Sequence, residues 1–196
     1  MKSIDDIQKL QAVVCYVLEK SQGGMDYIHL FKSMYFAQQE HLVEYGIPIF
    51  NDTFLVRKHG PVPALTYKVI RCVEGKNTEA TIDLDDFINS LVISEIDGHK
   101  VVSLRDGVSY DEDELSVSNI KVLDRCVERC MAVESFELSN ISHQDAAFKR
   151  ADRKARETGE DTYIPLYDIA KAGGAKDSTL KVIRERQINM RECSWI

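Results

Sequence analysis

The chain has 196 residues, 25 Lys+Arg against 32 Asp+Glu for a formal net charge of −7, and 44% apolar side chains. That length implies one domain with room for a small appendage, and the composition excludes wholesale disorder. The charge excludes a general nucleic-acid binder, and the longest apolar run, Val13 to Leu18, is too short to cross a bilayer.

The acids Asp5 and Asp6 near the N-terminus leave no signal-peptide core, so the expected location is the cytoplasm. Five cysteines at irregular spacing (Cys15, Cys72, Cys126, Cys130, Cys193) argue against a disulfide framework. Charge is unevenly spread. Residues 1–80 balance, residues 81–148 hold 5 basic and 15 acidic side chains, and residues 149–196 hold 11 basic and 8 acidic. An acidic middle of this kind suits a basic partner.

In chain order, Ile4, Ile7, Leu10, Val14 and Val17 recur at helical spacing, and Gly23-Gly24 breaks the pattern. Asp26 is a good N-cap for a second helix to about Glu44, with Leu30, Phe31, Met34, Tyr35 and Leu42 inward and Gly46 and Pro48 closing it. Thr53 to Val56 reads as extended and His59 to Pro63 as a rigid proline turn. A third helix from Pro63 ends before Gly75. Leu91–Ile96 and Lys100–Leu104, joined by Asp97-Gly98, form a β-hairpin. A helix from about Ser116 to Val133 follows, and Ser142 with Asp145 reads as a capping-box variant opening a helix to Gly159. Two more helical patterns cover Pro165–Ala172 and Ser178–Asn189. The expected fold is mainly α (α+β): six to seven helices in a compact domain with one small antiparallel β-hairpin.

Four blocks stand in a distinctive order. They are the stretch around Lys32, Tyr35 and Phe36; His41; Tyr45-Gly46-Ile47-Pro48; and Gly60-Pro61-Val62-Pro63. Together with Leu138-Ser139, Ser142-His143 and Phe148 they resemble the Panacea domain of SocA-like antitoxins and phage-associated GepA-type proteins. Two positions depart from the family pattern. Ser142 stands for threonine, and Ala147-Phe148 for proline–tryptophan, which keeps an aromatic but loses a stiff bend. The resemblance implies a Panacea domain over residues 1–158, with 159–196 a helical extension packed on it. It implies no catalysis and no cofactor. The implied partner is a cognate protein toxin encoded nearby, in some members with delivery to a protease, and no membrane is involved. Placed by the resemblance, His41, His59 and His143 could converge.

Each motif carries a structural alternative. The motif histidines are either hydrogen-bonding hubs, partner contacts or half of a catalytic pair, although no Gly-x-Ser-x-Gly, His-Glu-x-x-His or Gly-x-x-x-x-Gly-Lys sequence is present. Gly60 to Pro63 is either fold geometry or a recognition loop. Cys126 and Cys130 share one helix face, as core thiols or as half of a metal site. Residues 165–189 have helix-turn-helix spacing, with Ser178, Thr179, Lys181 and Arg184 placed to meet DNA, so a DNA-binding regulator is the alternative function. Two packed terminal helices produce the same spacing. The basic run Lys149, Arg150, Arg153, Lys154 and Arg156 is a solvated helix face or an anion-binding patch.

Overall fold

The computed structural model describes residues 3–77 and 82–193; residues 1–2, 78–81 and 194–196 and the side chains of residues 189–193 lie outside that description. The helices are α1 (Ile4–Lys20), α2 (Tyr27–Tyr45), α3 (Ala64–Val73), α4 (Asp85–Asn89), α5 (Val117–Met131), α6 (Ser135–Gln144), α7 (Ala146–Thr158), α8 (Leu166–Ala172) and α9 (Asp177–Cys193). The strands are β1 (Met25–Asp26), β2 (Phe54–Arg57), β3 (Gly60–Pro63), β4 (Leu91–Ile96), β5 (His99–Leu104) and β6 (Tyr163–Ile164). Among the described residues no helix is long and apolar enough to cross a membrane.

Helix α2 is the axis of the molecule. Leu30, Phe31, Met34, Tyr35, Ala37 and Leu42 are buried on it, and so are Lys32, Ser33, Gln38 and His41. A helix buried on every side is a core helix, and α1, α5, α6, α8 and β3 all pack against it. Asp26 caps it as expected, accepting from the Ile28 and His29 amides, and Gly46 ends it in the left-handed conformation at φ 67°. Helix α1 starts on a capping box made by Ser3 and Asp6.

The expected hairpin is present as β4–β5, with Asp97 and Gly98 both at positive φ, as a two-residue turn requires. Two expectations fail here. There are two small antiparallel sheets, β1-β5-β4 and β3-β2-β6, in place of one hairpin. Residues 60–63 are not a turn but a strand, paired with β2 from Phe54↔Pro63 to Arg57↔Gly60. Prolines are tolerated there because β3 is an edge strand, where missing N–H groups break no ladder on the open side.

The described residues hold nine α-helices, more than six to seven. Short α4 accounts for part of the difference, and the break between α6 and α7 for the rest. Ser142 opens no helix. It lies inside α6, and its hydroxyl donates to the Ser139 carbonyl at 2.7 Å. Asp145 is the true cap, accepting from the amides of Ala147 and Phe148 at 2.8 and 3.0 Å. The capping carboxylate belongs to the residue read as the far end of the box. Helix α3 has a cap no local pattern shows: Pro63 offers no side-chain acceptor, and Asp52, thirteen residues from Leu65, accepts from its amide.

Candidate functional site

The motif residues fall into two groups at opposite ends of α2. Near its first turns, the Lys32 ammonium is buried (1% exposed) and donates to the Pro61 carbonyl at 2.9 Å. Burial pulls its pKa down to about 7. Gly60, at φ 98°, lies against the same amine. A Cβ added there would come within 2.3 Å of Ser142 Oγ and 2.9 Å of Lys32 Nζ, so no side chain fits. Ser139 Oγ donates to the His59 carbonyl at 3.2 Å, which fastens α6 to the β2–β3 turn.

One turn further along α2, Tyr35 donates to Asp145 Oδ1 at 2.9 Å while its ring meets Phe54 edge-on at 5.1 Å. Gln39 donates to the other Asp145 oxygen at 2.8 Å. Phe36 is half-buried beside Tyr35, with the Arg129 guanidinium over its ring at 6.0 Å. The His143 ring stacks on buried Phe148, with centroids 4.9 Å apart. Burial, and then the charge of Lys32, hold His143 below the ordinary histidine pKa.

At the other end of α2, His41 binds the Ile47 carbonyl through Nδ1 at 2.8 Å and receives Asn119 Nδ2 on Nε2 at 3.1 Å. Those partners select the neutral Nδ1–H tautomer, and burial lowers the pKa accordingly. The Gln38 amide donates to the Phe50 carbonyl and accepts from the Ile49 amide, so Pro48 and its neighbours are held against α2. Tyr45 is 42% exposed and its ring lies tilted against His41, with centroids 4.6 Å apart.

The convergence of three histidines that the resemblance left open does not occur. His59 and His143 are near enough to feel each other's charge, but His41 is nine residues past Lys32, about 13 Å along the helix. Most of the motif is interior: Lys32, Tyr35, His41, Gly46, Gly60, Pro61, Val62, Pro63 and Phe148 are buried, and only Phe36, Tyr45, Pro48 and His143 reach the surface.

Sequence reading missed one constellation. Asp26 Oδ2 accepts from His29 Nδ1 and from Ser135 Oγ, each at 2.6 Å, while His29 Nε2 meets the Val133 carbonyl at 2.9 Å. These are the residue types of a nucleophilic triad, wired otherwise. The serine proton goes to the aspartate and Nε2 faces a carbonyl, so His29 has no free nitrogen with which to act as base. It acts as a clamp between the start of α2 and the α5–α6 corner. The Asp26 hydrogen bond raises the His29 pKa against the effect of burial. Burial would raise Asp26, but the bonds from His29 and Ser135 outweigh it and hold the carboxyl at about 2. The only sequence signal is the Asp-x-x-His spacing at a helix start.

Cys126 and Cys130 are buried; Cys126 donates to Glu40 Oε2 at 3.3 Å, and burial, aided by the Glu40 charge, pushes its thiol up. Helix α8 packs on α2 and α7, and α9 on α8 and α2. On that pair Ser178 is exposed, the Thr179 methyl faces Gly46, Lys181 faces Glu185 at 3.9 Å, and the Arg184 guanidinium lies 4.8 Å from the Tyr167 ring centroid.

The sequence motifs of this helical domain form a largely buried bracket between one central helix, an edge strand and a helix corner. The family model described as antitoxin SocA-like, Panacea domain, matches residues 30–149, the segment from α2 to the start of α7, and the chain belongs to that family. No curated protein and no solved structure matches the chain.

Proposed function

We propose that this protein is an antitoxin that neutralises a cognate protein toxin, the product of a neighbouring gene, by direct contact in the cytoplasm. The module is a toxin–antitoxin or phage-associated one, and delivery of the bound toxin to a protease is a natural elaboration. Membership of the SocA-like antitoxin family carries this reading.

The surface supplies physical support. Phe136 on α6 is 78% exposed, and aromatic side chains, Phe included, are enriched at protein interfaces. Acids of the middle segment sit outward at Asp83, Asp85 and Asp86 and again at Asp111, Glu112 and Asp113, which favours a basic toxin. A durable complex buries at least about 1,200 Å². A DNA-contacting α9 is the weaker reading, because Lys181 and Arg184 already have partners on their own helix pair.

Co-expression tests the proposal. The neighbouring gene product alone should arrest growth, this chain should restore it, and the two should copurify. A neighbour that is harmless alone, or toxicity this chain does not relieve, overturns it.

A further inference from the structure

A cleft of about 580 Å³ opens between the β2–β3 turn and α7, lined by Arg57 and Lys58 on one side and Lys149, Asp152 and Arg156 on the other. The α7 residues share one face because they recur near helical spacing. The arginines arrive balanced: Arg57 forks onto Asp161 at 2.6 and 2.9 Å, and Arg156 pairs with Asp152 at 2.9 Å. The lysines do not. Among the described residues neither Lys58 nor Lys149 lies within ion-pair distance of a carboxylate, and the Lys149 ammonium instead donates to Gln144 Oε1 at 2.6 Å. Two ammonium groups without an ion pair therefore face one concavity from opposite walls, with the Asp152 carboxylate already bound to Arg156, in a chain of net charge −7. Clefts concentrate such a field.

The same cleft is lined by His143, stacked on Phe148. An acidic peptide or a bare phosphate would use the lysines and leave the ring pair idle. A nucleotide uses both, since it carries phosphate oxygens and a flat π-face on one rigid frame. The volume lies within the range of small-molecule sites.

We propose that this cleft binds a nucleotide, its phosphate held between Lys58 and Lys149 and its base set against the His143–Phe148 pair. Asp152 stands at the wall as an acceptor for an amino or hydroxyl group. The nucleotide is either free or one unit of a single strand; the chemistry is shared and the experiment separates them.

Calorimetric titration of the full chain with AMP and with inorganic phosphate, and fluorescence anisotropy with labelled dT12, provide the test. AMP should bind more tightly than phosphate. The exposed pair Lys58→Gln and Lys149→Gln should weaken AMP about tenfold or more, with the circular dichroism spectrum unchanged. His143→Ala should weaken AMP but not phosphate, and His143→Phe should restore AMP. Binding of dT12 no tighter than AMP assigns a free nucleotide, and binding about tenfold tighter assigns a strand. The proposal is overturned if AMP does not bind at about 1 mM, if the lysine pair is without effect, or if hexaglutamate competes as well as AMP.

Discussion

The Tyr35 hydroxyl donates to Asp145 at 2.9 Å across 110 residues of sequence, and the same carboxylate oxygen caps α7. Asp145 thus meets three demands at once: the α7 amides, Tyr35, and the Gln39 amide. Burial, and then the Asp145 charge, drive the Tyr35 pKa far up, so its proton stays in place at any working pH.

Removing one arm of this hub differs from removing the hub. Tyr35→Phe should cost about 1–2 kcal/mol, one buried hydrogen bond, in urea unfolding. Asp145→Ala loses the cap as well and strands the Tyr35 hydroxyl, so about 3 kcal/mol is expected. Equal costs for the two variants would show that the carboxylate is not shared.

Lys32 predicts a pH dependence of unusual sign. Its folded pKa near 7 lies below the ordinary 10.5, so the unfolded chain holds the proton more tightly between those values. Stability therefore rises with pH from about 7 to 10.5, with a slope on the order of 1 kcal/mol per unit. Other groups titrate in that window, so the measurement is the difference between wild type and Lys32→Met. A difference that stays flat over pH 7–10 would place a charged lysine in the fold.

The Asp26–His29 clamp has the opposite bias at its upper end. The His29 pKa is raised above 6.5, so its contribution is complete below that value and fades as pH climbs through the folded pKa. The Asp26 carboxyl, held at about 2 against 3.8, contributes fully above 3.8 and is lost as pH falls through about 2. The clamp is strongest between about pH 4 and 6.5. Thermal melts should show the gap between wild type and His29→Gln narrowing above that window; a gap that widens contradicts the assignment.

Gly60→Ala should be among the costliest single changes in the molecule. The new methyl collides with Ser142 Oγ, and φ 98° is strained for any L side chain. About 3 kcal/mol of destabilisation is expected, and adding Ser142→Ala should recover only the steric part. Full recovery would mean that the backbone conformation is not the constraint.

Phe136→Ala tests surface against core. The side chain is exposed, so unfolding should change by less than about 0.5 kcal/mol. Toxin rescue in co-expression should nevertheless weaken. Undiminished rescue would move the contact surface away from α6.

Much of the architecture was legible in the residues. Asp26 caps α2 where its side chain and spacing say it should, α5 begins just after Ser116, and Asp97-Gly98 turns the hairpin. The family too was legible, because its motif blocks recur in order over the stretch the family match covers. The errors cluster where local signals compete. Ser142 and Asp145 both suit a cap, and the choice rested on Tyr35 and Gln39, which no window around residue 145 contains. Gly60 to Pro63 reads as a turn until β2 lies beside it.

Sequence by itself determined the ends of α2 and α5, the hairpin and the membership of a family, since each depends on groups within a few residues of one another or on their order. Tertiary structure alone decided that Lys32 is buried on a proline carbonyl, that His41 stands apart from His143, and that Lys58 and Lys149 face one cleft. Those outcomes depend on groups brought together over tens of residues. The desolvation and hydrogen bonding that set their chemistry exist only once the chain has closed around them.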